Sequence, residues 1–314
     1  MAWADQTDYT VWTSLPTNTA NSGRTLQGGN YLVGGIKIRD QANLLSSDTS
    51  IFSHTYSGDN FVYSTNTSAD RCGFVGPLAV TVVGGVAYWM GKSDFWMWDG
   101  DVKVMPSDDI RDYVFSTAGG NPGINLTQAV KFVAGANMAK REVLFFYVNA
   151  ASTEISNYVL YHIDDQCWSI GTVLLRTSWA DRDLFSYPMA TDSSGNIYNQ
   201  ESGNDANGSA LDAYVIAAPI DVANGENSLD IMSMEVDVER QTGNASLSVL
   251  TRIYPNDTDT VDGPYTVQAN SVTPKIDTRS NGKMAGFKFE SNVVGGDFRL
   301  GVFRADISKS GARR

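Results

Sequence analysis

With 314 residues, the chain is long enough for one large or two ordinary domains. Only 18% of residues are charged, while 29 are Gly and the aromatics number 7 Trp, 14 Tyr and 13 Phe; this composition argues against disorder and against a helical bundle, and suits an all-β protein. A net charge of −12 argues against gripping nucleic acid by phosphate neutralisation and instead repels DNA passing nearby.

The acid is unevenly spread. Up to Gly225 there are 12 Lys and Arg against 23 Asp and Glu; from Glu226 onward, 11 against 12. The difference, −11 against −1, marks two regions. Two cysteines, Cys72 and Cys167, exclude a disulfide framework and read as small strand hydrophobes. No apolar run approaches the ~20 residues of a membrane-spanning helix. The start, MAWADQTDYTVW, lacks the basic and apolar regions of a signal peptide, so synthesis and folding in a cytoplasm are expected.

Turn signals recur about every 8–12 residues, the spacing of many short strands. Leu32–Arg39 reads as a strand with a Gly-Gly bend. Ala42–Ser46 and Ser50–Tyr56 flank a polar turn, and Leu78–Val83 and Val86–Met90 flank Gly84-Gly85. Phe95–Trp98 and the return strand Val102–Met105 flank Asp99-Gly100. Residues 106–136 read as a helical insertion. In it Ser107 is placed to cap a helix with Asp108 and Asp109 in its first turn and Ile110, Val114 and Phe115 on its buried stripe. Asn125–Val133 reads as a second short helix. Strands follow at Glu142–Val148, Tyr158–Ile163, Cys167–Leu175, Met189–Asp192 and Asn196–Gln200.

A weak repeat runs through this region: a strand, a turn, an aromatic strand ending in Gly or Asp, then a return strand. Its instances start at Ser50, Asp94, Tyr158 and Gly195, spaced by 44, 64 and 37 residues. Two spacings fall near the period of a four-stranded propeller blade, and the long one contains the insertion. Such blades are apolar on both faces and are stable only when stacked. Trp89, Phe95, Trp98 and Trp168 are therefore expected in the blade core. An ordinary meandering β-sandwich is the alternative. From Glu226 the texture changes to six alternating strands: Met232–Val238, Ala245–Ile253, Tyr265–Ala269, Val272–Thr278, Met284–Glu290 and Phe298–Asp306. Their period of two predicts a C-terminal antiparallel β-sandwich over 226–314, following propeller-like blades over 1–225.

Catalytic signals are thin. His54 and His162 read as strand residues, without Cys, His or Glu at metal-ligand spacing. No nucleophile elbow, P-loop or dinucleotide fingerprint is present. Asp181 and Asp183, beside Trp179 and Phe185, are the candidates for a sugar cleft, against a plain connecting loop. Asn256–Gly263 has acids at 257, 259 and 262 but lacks the closing Glu of a calcium loop, and reads as an acidic loop. No cofactor or metal is expected.

Several segments, in order along the chain, resemble the tail hub or nozzle proteins of tailed bacteriophages, also described as packaged-DNA stabilisation or tail tubular proteins. They are WADQTDYTVW, LVGGIKIRDQANLLSSDTSIFSHTY, CGFVGPLAV, GGVAYWMGKSDFWMWDGDV, MPSDDIRDYVF, KFVAGANMAKREVLFFY, RTSWADR and FRLGVFRADI. The resemblance implies β-propeller blades with additional β-domains. It also implies a non-enzymatic virion protein that assembles with itself into a ring, commonly hexameric. Such rings continue the DNA channel, retain the packaged genome, conduct it during ejection, and meet adaptor, fibre or needle proteins. DNA would pass through without specific binding. Asp108, Asp109, Arg111 and Asp112 are then candidates for an inter-subunit or channel-facing element. Family members carry more sequence before the strand that matches Trp3, which implies fewer blades, a contribution from another chain, or a longer polypeptide. The rival readings are a host-glycan-binding or glycan-degrading β-propeller protein and an adhesin-like module.

Overall fold

The computed structural model describes residues 2–22, 25–39, 42–58, 62–182, 185–221, 227–269 and 275–312. The chain forms two compact units, Met1–Glu201 and Ser202–Arg314.

The first unit opens with a two-stranded ribbon, β1 (Ala2–Trp3) and β2 (Asn21–Ser22). Three four-stranded antiparallel meanders follow. The first sheet is β3 (Leu32–Arg39), β4 (Ala42–Ser47), β5 (Ser50–Tyr56) and β6 (Tyr63–Asp70). The second is β7 (Val80–Val83), β8 (Val86–Met90), β9 (Phe95–Trp98) and β10 (Val102–Val104). Helix α1 (Asp108–Phe115) leads to the third, β11 (Val133–Asn137), β12 (Glu142–Tyr147), β13 (Asn157–His162) and β14 (Cys167–Gly171). A three-stranded fourth sheet holds β15 (Ser178–Ala180), β16 (Met189–Thr191) and β17 (Ile197–Asn199). The four instances of the sequence repeat fall on β5, β9, β13 and β17, the third strand of each sheet.

The sheets stack because their strands are apolar on both faces. Along β8, Ala87 and Trp89 point to one side and join Leu44, Ile51, Cys72 and Phe74 in the layer shared with the first sheet. Tyr88 and Met90 point to the other side and join Phe95, Val143, Phe145 and Tyr161 in the layer shared with the third. On β12, Phe145 faces Phe95 with ring centroids 5.1 Å apart, while its neighbour Phe146 faces Trp179 of the fourth sheet at 6.0 Å. This is an all-β, propeller-like stack of three four-stranded sheets and one three-stranded sheet, as the composition and repeat predict in outline. Gly84 and Gly85, at φ +60° and +80°, supply the two-residue turn that joins β7 to β8.

Helix α1 has the predicted bounds, and Ile110 and Val114, one turn apart, are buried in the layer between the second and third sheets. Ser107 stands at the cap position, but its side chain makes no capping bond. It is buried and donates to Asp94 Oδ1 at 3.3 Å instead. The insertion is shorter than predicted. Its second helix is a 3-10 stretch, Leu126–Lys131, whose Asn125 side chain accepts from the Thr127 N–H. Residues 133–136 belong to β11, whose five residues VAGAN are all buried, and this central packing overrides their weak strand propensity.

The second unit begins with a short hairpin, β18 (Asp205–Ala206) and β19 (Ser209–Ala210). It continues with β20 (Ala213–Asp221), β21 (Asn227–Thr242), β22 (Ala245–Arg252), β23 (Thr260–Val267), β24 (Lys275–Gly282), β25 (Met284–Ser291) and β26 (Asp297–Ala312). Two antiparallel sheets, β20-β25-β22-β23 and β24-β21-β26, enclose Ile231, Met234, Val236, Leu247, Val249 and Phe289. The division between units falls at 201/202 rather than 225/226. The reason is β20, which pairs with β25 from Ala213↔Ser291 to Asp221↔Met284 and so belongs to the C-terminal sandwich.

Candidate functional site

The aromatic residues singled out from sequence divide between two layers. Trp89 is fully buried between the first and second sheets, and its indole Nε1 donates to the Cys72 carbonyl at 2.6 Å. Trp98 packs half-buried on the same layer, its Nε1 buried without a partner. Phe95 lies in the next layer with Trp168, ring centroids 4.6 Å apart, and Trp168 Nε1 donates to the Pro106 carbonyl at 2.6 Å. That bond ties the entry of α1 to β14.

Asp108, Asp109, Arg111 and Asp112 lie together on the exposed face of α1. Among the described residues Arg111 makes no ion pair within 4.0 Å. The face is open and carries three negative charges around one free cation.

Asp181 is committed to the backbone: its Oδ2 accepts from Met138 N at 3.0 Å and its Oδ1 from Arg182 N at 2.7 Å. Trp179 is equally occupied, lying against Phe146 and donating to the Ala136 carbonyl at 2.7 Å. A Cβ at Gly135 would stand 2.5 Å from the Trp179 ring, so only glycine lets the indole lie on β11. Asp183 lies outside the described residues. The stretch read as an acidic loop, 256–263, is loop only as far as 259; residues 260–263 belong to β23, paired with β22, and the acids diverge. Asp257 accepts from Tyr254 N, Asp259 pairs with Arg252, and Asp262 takes the Tyr265 and Ser280 hydroxyls at 2.7 and 2.6 Å. Among the described residues no group of three His, Cys, Asp or Glu side chains is arranged to hold a metal ion.

The third sheet brings together a set of polar groups that no sequence spacing marks. Register places Asn137 (β11) opposite Glu142 (β12), Glu142 opposite His162 (β13), and His162 opposite Cys167 (β14). Directly opposed residues share a face, so the four form one row across the sheet. Asn137 Nδ2 donates to Glu142 Oε2 at 3.2 Å, and Glu142 Oε1 lies 3.4 Å from His162 Nδ1. Asn137 Oδ1 is buried with no hydrogen-bond partner. Exposure rises along the row, from 1% at Asn137 and 9% at Glu142 to the half-buried His162 and the exposed Cys167. Burial raises the Glu142 carboxyl above the usual glutamate range, opposed by the charges of Lys140 and His162. Cys167, expected as a buried strand hydrophobe, is instead on an edge strand facing solvent.

No protein-family model matches the chain, and no curated protein matches it. Among solved structures the chain is similar to an exo-beta-1,3-galactanase from Phanerochaete chrysosporium, crystallised with beta-1,3-galactotriose. Identity is 8%, coverage 98% of this chain and 99% of that one, and the TM-score 0.19. A likeness at that level carries no inference about activity.

Proposed function

We propose that the chain is a non-enzymatic structural protein of the bacteriophage tail. In this reading it is a hub or nozzle subunit that assembles into a ring, continues the DNA channel, retains the packaged genome and conducts it during ejection. The observation that carries the reading is where the resembling segments fall. They supply β3 to β5, the buried Cys72 and Phe74, β8 and β9, α1, β11 and β12, β15 and part of β26. The resemblance is thus concentrated in scaffold, which suits a part whose task is rigidity.

Two features support assembly and passage. Strand β20 is a sheet edge with Tyr214, Val215 and Ile216 exposed in succession, and Ile220 exposed beyond them. Successive strand residues point to opposite faces, so both faces of this edge are wet in a lone subunit, and a neighbouring subunit would cover them. The acidic surplus before Gly225, 23 acids against 12 bases, suits a lumen along which DNA slides without sticking.

The test is electron microscopy of the purified chain, alone and with its tail neighbours. The expected result is a closed ring whose pore admits duplex DNA and whose lumen is acidic. A monomer that hydrolyses glycan, and loses that activity when one carboxylate is removed, would overturn the reading.

A further inference from the structure

The row across the third sheet has the order of a nucleophile, a base and two groups that position the base. Cys167 is outermost and exposed, on the edge strand β14. His162 is its cross-strand partner, and opposed residues on neighbouring strands hold their Cβ atoms about 4.5–5.5 Å apart. On its other side His162 turns Nδ1 toward Glu142 Oε1 at 3.4 Å. With the proton on the nitrogen that faces the carboxylate, the lone pair lies on Nε2, which makes no hydrogen bond among the described residues. Glu142 is fixed in turn by Asn137 Nδ2. The amide of Asn137 is almost wholly buried, and its Oδ1 has no donor. An orphaned acceptor at this depth is costly to a fold, and such costs concentrate where side chains are held for chemistry.

We propose that Cys167 is a reactive thiol, activated by His162 as general base, with Glu142 and Asn137 as positioning residues, and that it takes low-molecular-weight or protein disulfides as reactants. The step balances. His162 Nε2 takes the thiol proton, and the Cys167 sulfur attacks one sulfur of the disulfide. The old S–S bond breaks as a new one forms to Cys167, and the departing thiolate receives the proton from His162. The reactant disulfide is the only oxidant. The product is the chain carrying a mixed disulfide at the exposed Cys167, on the edge strand β14.

Charged groups near the row include Lys140, paired with Glu201, Arg141, paired with Asp164 at 2.6 Å, and the exposed Asp165 in the turn before Cys167. The charges of Lys140 and Arg141 are compensated by those pairs, and His162 is the basic residue across the strand pair from Cys167. Cys72 is the internal control. It is buried, and burial pushes its thiol up to about 11, so it should react only on unfolding. The proposal stands apart from the tail reading, since it depends on one sheet of one subunit.

The experiment follows the reaction of the folded full chain with dithiodipyridine, which releases one coloured thione per thiol consumed. One fast equivalent is expected, absent in Cys167→Ser. At pH 7 its rate should fall on the order of a hundredfold in His162→Gln, the low end of the range of positioned general-base assistance. The pH profile of the wild type is the second measurement, should His162→Gln fail to fold. An unassisted thiol gains about tenfold per pH unit up to the ordinary thiol range near 8.5. The assisted one should show a much shallower rise between pH 6.5 and 8, and Glu142→Gln should steepen it. A wild-type rate that matches an unstructured cysteine peptide across that range would overturn the proposal, as would equal rates in wild type and a folded His162→Gln.

Discussion

Trp89 and Cys72 are joined by a 2.6 Å hydrogen bond from the indole Nε1 to the main-chain carbonyl, inside a layer where both residues are buried. The bond satisfies a donor on β8 and an acceptor in the segment that leads from β6 to β7, so it clamps the second sheet to the chain that enters it. Trp98 offers the opposite case, a buried indole Nε1 with no acceptor.

The pair gives a contrast that can be measured. Trp89→Phe removes the donor and leaves the Cys72 carbonyl unpaired, at a cost of about 2–4 kcal/mol with the lost packing included. Trp98→Phe discards an unpaired polar atom and should cost less than about 1 kcal/mol, or stabilise. Urea unfolding of both variants, read at constant m, decides it. Equal losses would mean that the Trp89 bond contributes nothing beyond ring volume.

Gly135→Ala should loosen the fourth sheet from the third. The new methyl group would stand 2.5 Å from the Trp179 ring, and that ring must leave the surface of β11 and its bond to the Ala136 carbonyl. A loss of about 1–3 kcal/mol is expected, together with red-shifted tryptophan emission. An unchanged spectrum would show that Trp179 does not depend on the missing Cβ.

Glu142→Gln has a predictable pH signature. The folded-state carboxyl titrates above its unfolded value because burial penalises the charge. The folded state therefore holds its proton more tightly, and this site loses stability as pH rises through the folded titration. Below the ordinary glutamate range near 4.3 the carboxyl is neutral in both states, and the variant should match the wild type. As pH rises toward 7 the variant should become the more stable of the two. Thermal melts at pH 4, 5.5 and 7 would check it, and an advantage that shrinks with rising pH would contradict the burial argument.

Arg111→Glu should leave the isolated subunit within about 0.5 kcal/mol of wild type, because the guanidinium is exposed and has no ion-pair partner among the described residues. The same change makes the outer face of α1 uniformly acidic. If that face contacts a neighbouring subunit, light scattering should report a shift from ring to smaller species. An intact ring would remove α1 from the list of contacts.

Legibility in the sequence followed side-chain size and polarity. β3, β5, β8 and β9 and helix α1 are readable to the residue, because bulky apolar runs are bounded by Gly-Gly, Asp-Gly or Ser-Asp signals. β6 (Tyr63–Asp70) escapes because its sequence YSTNTSAD is polar, and β11 because VAGAN is small. β20 is apolar and turn-bounded, but only its pairing with β25 reveals which unit it joins.

The row of Asn137, Glu142, His162 and Cys167 is hidden for a different reason. Its members are brought together by register, not by spacing. One signal does point to it. The turns at 138–141 and 163–166 have the same length, and each ends on a non-glycine residue of positive φ, Arg141 at +55° and Gln166 at +51°. Counting outward from two equal turns places 137 opposite 142 and 162 opposite 167. The pairing of Glu142 with His162 then follows from the meander.

β8 has four consecutive buried residues, with apolar side chains on both faces. A strand of that kind carries no inside and no outside. Sliding it by one position exchanges its faces yet still buries oil against oil, so hydrophobic pattern alone does not select its alignment. The choice passes to features that cannot slide: the two-glycine turn that fixes where β7 ends, and the indole of Trp89, whose bond to the Cys72 carbonyl is made in this alignment. In the middle of this stack burial supplies the adhesion, and a few directional contacts supply the alignment.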